Sequence, residues 1–178
     1  MTLSVPEREW PPARVSGVVL IPIRPRHAVS MAEVIRRVSA EHGLTAGSGF
    51  AVGDAEVADL YRAYDRPGHA YLVAEQDDRV LGGGGFAPLA GGDGSTCEIR
   101  KMYLCASARA QGLGARLLQH LLDSACRCGY RYAYLETTAA LARACRLYEA
   151  AGFARLAEPW GATGHSDACE RYYCKCLT

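Results

Sequence analysis

The sequence predicts a mixed α/β fold in which a central, mostly antiparallel sheet carries helices on both faces. Segments with apolar residues at helical spacing alternate with β-rich segments along the chain. Two of the β-rich segments are joined by a short polar turn, "QDDR", which is typical of a hairpin. The 178 residues are enough for one domain with a sizeable core.

A flexible arm followed by one domain is expected. Residues 1–16 are rich in Pro, Glu and Arg and show no apolar periodicity, which is typical of such an arm. Residues 17–178 are expected to form the single domain. Its first strand is the β-rich run 18–25, closed by Pro25.

Two helices follow the first strand. Residues 30–43 have one apolar face, and Ser30 and Glu33 have the spacing of a capping box at its start. Residues 54–64 are predicted to form the second helix, with Asp54 as its N-cap.

The middle of the chain has the period of two that is typical of strands. Strands are predicted over 70–75, 80–89 and 96–104, and the first two form the hairpin. Four consecutive glycines at 82–85 would weaken the second strand, so they indicate a bulge or a close backbone approach.

The last third of the chain again alternates helices with strands. In chain order we predict a helix that follows Gly112 and ends at Gly129, a strand over 130–136, a helix over 137–152, and strands over 153–157 and 169–177.

Charge and apolar content exclude several classes of protein. The 20 basic and 19 acidic residues leave a net charge of +1, so nothing favours binding to nucleic acid or to an acidic membrane. The N-terminus has no apolar core of signal-peptide type, and no apolar run reaches the ~20 residues that cross a bilayer. We therefore expect a cytoplasmic protein.

The eight cysteines are expected to be reduced, and most of them to be small buried or half-buried hydrophobes. Their closest spacings are C-x-C at 126–128 and at 174–176, with no C-x-x-C and no paired histidines. Such spacing is a poor match to a zinc site, so no metal is expected.

The stretch "RAQGLGARLL" at 109–118 places two glycines at the start of a helix. Unpaired N–H groups at a helix N-terminus attract anions, and glycines let a phosphate approach them. Ala115 and Arg116 follow Gly114 where a Walker loop needs Lys and Ser or Thr, and Leu117 replaces the third glycine of a dinucleotide fingerprint. Spacing alone leaves a phosphate site and a simple turn equally open.

Two stretches resemble the GNAT superfamily of N-acetyltransferases. Arg109-x-x-Gly112-x-Gly114 is similar to that family's R/Q-x-x-G-x-G/A pattern, within "CEIRKMYLCASARAQGLGARLL". Downstream, "ARACRLYEAAGF" is similar to its A-x-x-x-Y-E-x-x-G-F helix and turn. The resemblance implies the acyl-CoA N-acyltransferase fold, acetyl-CoA as cosubstrate and transfer of an acetyl group to an amine.

The resemblance also implies where acetyl-CoA binds. The strands 96–104 and 130–136 would be a splayed parallel pair that receives the pantetheine arm. The residues implied in cofactor binding are Met102, Tyr103, Leu104, Arg109, Ala110, Gln111, Gly112, Leu113, Gly114 and Ala115. Ala110 stands where the family usually has glycine, which is tolerable if its φ is negative. Leu141 stands where an asparagine often touches the cofactor.

Catalytic residues follow from the same resemblance. Tyr148 matches the tyrosine that faces the sulfur, and its phenol could protonate the leaving thiolate; otherwise it is a core residue. Glu98 on the central strand could be the general base, or only an ion-pair partner. Glu136 is a rival base or an acceptor contact.

The acceptor is expected to bind on the other side of the sheet. His165 in the long loop 158–168 is a candidate contact, although the loop could equally be solvated. Segment 47–57 is another candidate on the acceptor side, because the resemblance implies that this region forms one wall of the pocket.

We expect an acetyl-CoA-dependent N-acetyltransferase. The amine of a small-molecule or amino-acid-like acceptor would attack the thioester directly. A non-catalytic acyl-CoA-binding or sensor protein and a protein or peptide N-acetyltransferase are the alternatives, and a homodimer is possible. The long loop 158–168 would partly close the pocket, which disfavours peptide acceptors.

Overall fold

One sheet of eight strands forms the centre of the molecule. The computed structural model describes residues 13–15, 17–165 and 167–177. The strands are β1 (Ala13–Val15), β2 (Val18–Pro22), β3 (Ala70–Gln76), β4 (Arg79–Pro88), β5 (Thr96–Leu104), β6 (Tyr132–Thr137), β7 (Ala154–Leu156) and β8 (Arg171–Cys176), in the order β1-β2-β3-β4-β5-β6-β8-β7. Neighbours are antiparallel except β5 and β6, so the predicted mostly antiparallel sheet is confirmed.

Helices cover both faces of this sheet, as predicted. The α-helices are α1 (Ala28–Glu41), α2 (Leu60–Tyr64), α3 (Leu113–Arg127) and α4 (Ala142–Ala150). Alternate residues of β3 point to opposite faces, so Tyr71 and Val73 join the core under α1 and α2, while Leu72 and Ala74 join the core under α3 and α4. Among the described residues, no helix has both the length and the apolar character to cross a bilayer.

The predicted arm over 1–16 contains a strand. Residues 13–15 form β1, which pairs with β2 from Ala13↔Leu20 to Val15↔Val18. Residues 1–12 and 16 lie outside the described part of the chain.

The start of α1 differs from the prediction. The helix begins at Ala28, so Ser30 lies inside the first turn and the predicted capping box with Glu33 does not exist. His27 occupies the N-cap position, and its ring accepts the Arg24 N–H at 3.0 Å. A short 3₁₀ turn ahead of α1 therefore shifts the helix start by two residues.

The predicted helix over 54–64 is only partly confirmed. A 3₁₀ turn occupies 55–58, and only 60–64 are α-helical. Asp59 is the N-cap of α2, because its carboxylate accepts the Arg62 N–H at 3.1 Å. The carboxylate of Asp54, the expected cap, lies instead beside Lys101 and His165.

The remaining elements agree more closely with the prediction. Both residues of the β3–β4 turn, Asp77 and Asp78, have positive φ (48° and 58°), as in a type I′ hairpin turn. The helix predicted over 137–152 is α4 preceded by a 3₁₀ turn over Ala139–Leu141, which Thr138 caps.

A bulge lies opposite the glycine run, as the sequence indicated. Between the pairs Gly83↔Tyr103 and Gly85↔Arg100, β4 contributes one residue and β5 contributes two, Lys101 and Met102. Lys101 has a positive φ of 51°. The bulge divides β5 into two parts, and both parts line the site described below.

All eight cysteines are free thiols in the structure. Cys97, Cys105 and Cys169 are buried and three others are half-buried, which agrees with the expectation for most of them. Cys126 and Cys176 are exposed.

Candidate active site

The strands β5 and β6 separate in the middle of the sheet. They pair in parallel only at Thr96↔Tyr132, Cys97↔Ala133 and Glu98↔Tyr134, although both strands continue beyond these positions. A cavity of about 810 Å³ lies along the parts that diverge. The splay that the sequence predicted is therefore present.

The cavity brings together twelve of the fourteen predicted site residues, which are Glu98, Met102, Tyr103, Leu104, Arg109, Ala110, Gly112, Gly114, Ala115, Glu136, Tyr148 and His165. Gln111 and Leu113 are in the same segment, but they are not among the residues that line the cavity. Leu113 is buried in the core under α3, and the Gln111 side chain is exposed and donates to the Ser107 carbonyl at 3.0 Å.

The N-terminus of α3 presents backbone donors to one end of this cavity. Gly112 is its N-cap, with a φ of 75°, and an added Cβ there would meet no atom within 4 Å. In the described structure no backbone carbonyl accepts from the N–H groups of residues 110–115, and the first such bond is Arg116 N–H to Gly112 O at 3.1 Å. Open space, free donors and the helix dipole together suit an anion.

Ala110 departs from the expected backbone conformation. Its φ is 65°, so the condition under which alanine would be tolerated without strain, a negative φ, is not met. An L-residue there is strained by about 1–2 kcal/mol, which explains why glycine suits the position.

The Arg109 side chain anchors this loop. Its Nε donates to the Leu104 carbonyl at 2.8 Å, and its Nη2 donates to Glu41 at 2.6 Å. The guanidinium thus ties the loop to the end of β5 and to α1, so its own groups are largely engaged within the protein.

Tyr148 is both a core residue and a wall of the cavity. Its ring lies against Phe153 and Tyr173, with centroids 6.0 and 6.3 Å apart. Burial raises the pKa of the phenol above its usual value. The hydroxyl therefore holds its proton throughout the neutral pH range.

Glu98 lies at the point where the strands part, and only 6% of it is exposed. Burial raises the pKa of its carboxyl to about 7, an effect that Arg100 opposes and the charge of Glu136 increases. Its carboxylate lies 3.6 Å from Nε of Arg100. Near neutral pH this group can take up or release a proton.

A charged cluster that the sequence analysis missed lies beside Glu98. The buried Nζ of Lys101 donates to Asp54 and lies 3.0 Å from Glu56, and Arg100 donates to Glu56 at 2.6 Å. The bulge in β5 lets two consecutive residues, Arg100 and Lys101, reach the same carboxylates. Segment 47–57 was expected near this place, and Asp54 and Glu56 lie at its end.

His165 connects the long loop to this cluster. Its Nε2 lies 3.2 Å from Asp54, and its Nδ1 lies 3.1 Å from the Gly49 carbonyl, which can only accept. The hydrogen bond to Asp54 raises the pKa of His165, although burial opposes this. In turn, although burial opposes it, hydrogen bonds from His165 and Lys101 lower the pKa of Asp54 to about 2.

Other contacts hold loop 158–168 over β6. Thr163 donates to Glu136 at 2.8 Å, and the Trp160 ring stacks on Tyr134 with centroids 5.9 Å apart. The backbone N–H of Trp160 also donates to the Tyr134 hydroxyl at 3.1 Å. The loop is thus fixed to the same strand that carries Glu136.

Comparison with known families identifies this arrangement. The model of the Acetyltransferase (GNAT) family matches residues 39–153, which include β5, the loop before α3, and α4. The chain belongs to the GNAT family.

One acetyltransferase resembles the chain in sequence, and two solved acetyltransferase structures resemble it in fold. The uncharacterized N-acetyltransferase YjgM of Escherichia coli K12 is 46% identical over 141 residues, which are 79% of this chain and 84% of YjgM. A GNAT acetyltransferase of Staphylococcus aureus Mu50 superposes with a TM-score of 0.79 at 17% identity, over 90% of this chain and 99% of the other. The structure of yncA from Salmonella typhimurium with its cofactor acetyl-CoA superposes with a TM-score of 0.71 at 21% identity. The match covers 92% of this chain and 95% of yncA. The chain is an N-acetyltransferase.

The residues of this GNAT protein fit a phosphate-bearing cosubstrate. The open space at Gly112 and the free N–H groups of residues 110–115 suit a diphosphate. Leu141 lines the cavity near α4, but its side chain has no hydrogen-bonding group. The contact that an asparagine often makes in the family is therefore absent at that side chain.

Proposed function

We propose that the protein is an acetyl-CoA-dependent enzyme that transfers the acetyl group to the amine of a small-molecule or amino-acid-like acceptor. One observation carries this proposal: a single cavity runs from the free N–H groups before α3, along the gap between β5 and β6, to Glu98 and His165. Donor and acceptor can therefore meet in one space.

Acetyl-CoA would bind with its diphosphate on the amides of the loop before α3 and its pantetheine arm along residues 102–104, and it supplies the acetyl group as a thioester. Glu98 would accept the proton of the acceptor ammonium, because its pKa of about 7 leaves part of the carboxyl ionised at neutral pH. The neutral amine would attack the thioester carbonyl, and the C–S bond would break as the C–N bond forms. Tyr148 would give the proton of its hydroxyl, at the wall of the same cavity, to the CoA thiolate that leaves.

A small acceptor is favoured by the closed acceptor end. The contacts of His165 to Gly49 and Asp54, and of Thr163 to Glu136, hold loop 158–168 across that end. An extended peptide needs an open groove or sheet edge. Glu136 and His165 would then contact the acceptor directly.

Compartment and assembly also belong to the proposal. Eight free cysteines suit the reducing cytoplasm, which is the proposed compartment. A homodimer remains a prediction from the family resemblance.

An acceptor screen tests the proposal. Purified protein with acetyl-CoA is given a panel of small amines, amino acids and lysine-containing peptides, and release of free CoA thiol is measured. We expect turnover with small amines or amino acids. Turnover with peptides alone would indicate a protein acetyltransferase, and tight acetyl-CoA binding without turnover on any acceptor would indicate a sensor.

A further inference from the structure

We infer that Tyr71 is a positioning residue for the acetyl transfer: from β3 it reaches across β4 and holds the carbonyl of Lys101 in the β5 bulge. The inference rests on the proposed function, because it concerns the strand along which acetyl-CoA would lie. Tyr71 is not among the cavity-lining residues of the described structure, so it would act only through β5.

A buried hydrogen bond carries the inference. The Tyr71 hydroxyl donates to the Lys101 carbonyl at 2.8 Å, and 2% of Tyr71 is exposed. Tyr71 pairs with Gly85 of β4, and β4 lies between β3 and β5. Its side chain therefore crosses a whole strand to reach its acceptor.

The glycine run makes this crossing possible. A Cβ at Gly83 would lie 2.7 Å from Cε1 of Tyr71, and a Cβ at Gly85 would lie 2.6 Å from its Cδ2. Real Cβ atoms do not approach rings so closely, so any side chain at either position would push the ring away. The run that the sequence marked as a close backbone approach is where the ring rests on β4.

The held carbonyl fixes a larger part of β5. A peptide group is planar, so fixing the Lys101 C=O also fixes the direction of the Met102 N–H. Lys101 has a φ of 51°, and a non-glycine residue keeps such a conformation only when its surroundings impose it. Tyr71 supplies one constraint and the ion pairs of Lys101 supply another.

Both substrates depend on this peptide group. Glu98 and Arg100 precede the bulge and line the acceptor end. Met102, the second residue of the bulge, and residues 103–104 after it line the cofactor end. If the bulge were free to change its twist, Glu98 and Arg100 would move relative to residues 102–104. The Tyr71 hydrogen bond thus sets the alignment of donor and acceptor.

Tyr71→Phe is the test, with Tyr130→Phe as a matched control. The Tyr130 hydroxyl likewise donates to a backbone carbonyl, that of Gly68, at 2.9 Å, but Tyr130 packs against Phe86 away from the cavity. Each variant loses one such bond, so we expect similar small decreases in Tm. Only Tyr71→Phe should weaken acetyl-CoA binding in calorimetry. We expect the Kd to rise about fivefold, because ordering the released bulge on binding would cost about as much free energy as the one hydrogen bond that is lost within the protein.

Amide hydrogen exchange gives a second readout. Residues 100–104 should exchange faster in Tyr71→Phe than in Tyr130→Phe or the wild type. Unchanged exchange and unchanged acetyl-CoA affinity in Tyr71→Phe would overturn the inference. If wild-type protein does not bind acetyl-CoA, the proposed function fails, and the exchange rates still decide whether Tyr71 holds the bulge.

Discussion

His165 and Asp54 form an ion pair, with Nε2 of the imidazole 3.2 Å from the carboxylate. Nδ1 of the same ring lies 3.1 Å from the Gly49 carbonyl, so both ring nitrogens are used as donors. The pair joins loop 158–168 to the segment before α2. These two segments enclose the acceptor end of the cavity.

His165→Ala should raise the KM for the acceptor about tenfold, because the loop loses a charge-assisted hydrogen bond. The acetyl-CoA Kd should stay unchanged. Steady-state kinetics and calorimetry check this. His69→Ala is the control, because His69 is also half-buried, with Nδ1 3.0 Å from the Pro67 carbonyl, and does not line the cavity. The pair is fully formed below the ordinary histidine pKa of 6.5 and is lost as pH rises through the raised pKa of His165. The wild-type KM should therefore approach that of the variant at high pH; equal values at low pH would contradict this role.

Glu98→Gln should lower kcat/KM about 10²- to 10⁴-fold, the usual contribution of a general base. The rise of wild-type activity through pH 7 should disappear in the variant, because Gln cannot titrate. A pH–rate profile of both proteins checks this, and Glu136→Gln is the matched control. An identical rising limb in Glu98→Gln would assign the base to another group.

Glu98→Gln should also change the stability of the folded protein, by an amount that depends on pH. The pKa of Glu98 is raised from 4.5 to about 7, so the protonated form is preferred in the folded protein, and stability falls as pH rises from 4.5 through 7. Glu98→Gln should therefore increase Tm relative to the wild type at pH 8 more than at pH 5.

Tyr148→Phe should lower kcat about 10- to 100-fold while the acetyl-CoA Kd changes less than about twofold. The ring contacts with Phe153 and Tyr173 survive, so only the proton donor is removed. Single-turnover kinetics and calorimetry separate the two effects. If kcat is unchanged, Tyr148 serves the core alone.

Gly112→Asp should abolish acetyl-CoA binding by placing a carboxylate where the diphosphate would lie. Gly112→Asn is the matched control, since both side chains tolerate the φ of 75° and have the same size but differ in charge. Calorimetry should show at least about tenfold weaker binding for Asp than for Asn. Equal affinities would place the diphosphate elsewhere.

Ala110→Gly should stabilise the protein by about 0.5–1 kcal/mol, because relief of the strain at φ 65° exceeds the entropy gained by the unfolded chain. Ala115→Gly in the first turn of α3 should instead destabilise it. The urea midpoints of both variants test the opposite signs. A lower midpoint for Ala110→Gly would mean that the loop imposes no strain.

The residues at the proposed cofactor end could be predicted to line one cavity, because the sequence signal for them is local. Arg109, Gly112 and Gly114 lie within six residues, and the helix that follows has a regular apolar face. The conformation of Ala110 was the exception. The family resemblance places a glycine there, but an alanine does not by itself indicate a positive φ.

The acceptor end could not be predicted in the same way. Asp54, Lys101 and His165 are far apart in the chain. The glycine run of β4 indicated a bulge or a close backbone approach, but not that the bulge lies in β5 and brings Lys101 to the shared carboxylates. Asp54 had the features of a helix cap, but its carboxylate is held by partners that only the folded chain supplies. Tertiary contacts thus overrode a local preference, and Asp59 became the cap.

The glycine run of β4 has a consequence for how the protein tolerates change. In the described structure, no residue of β4 lines the cavity, and the run carries no functional group. Even so, a methyl group at Gly83 or Gly85 would collide with Tyr71 and with backbone oxygens of β3. In a saturation mutagenesis screen, these chemically silent positions should accept fewer substitutions than many residues that face the substrates.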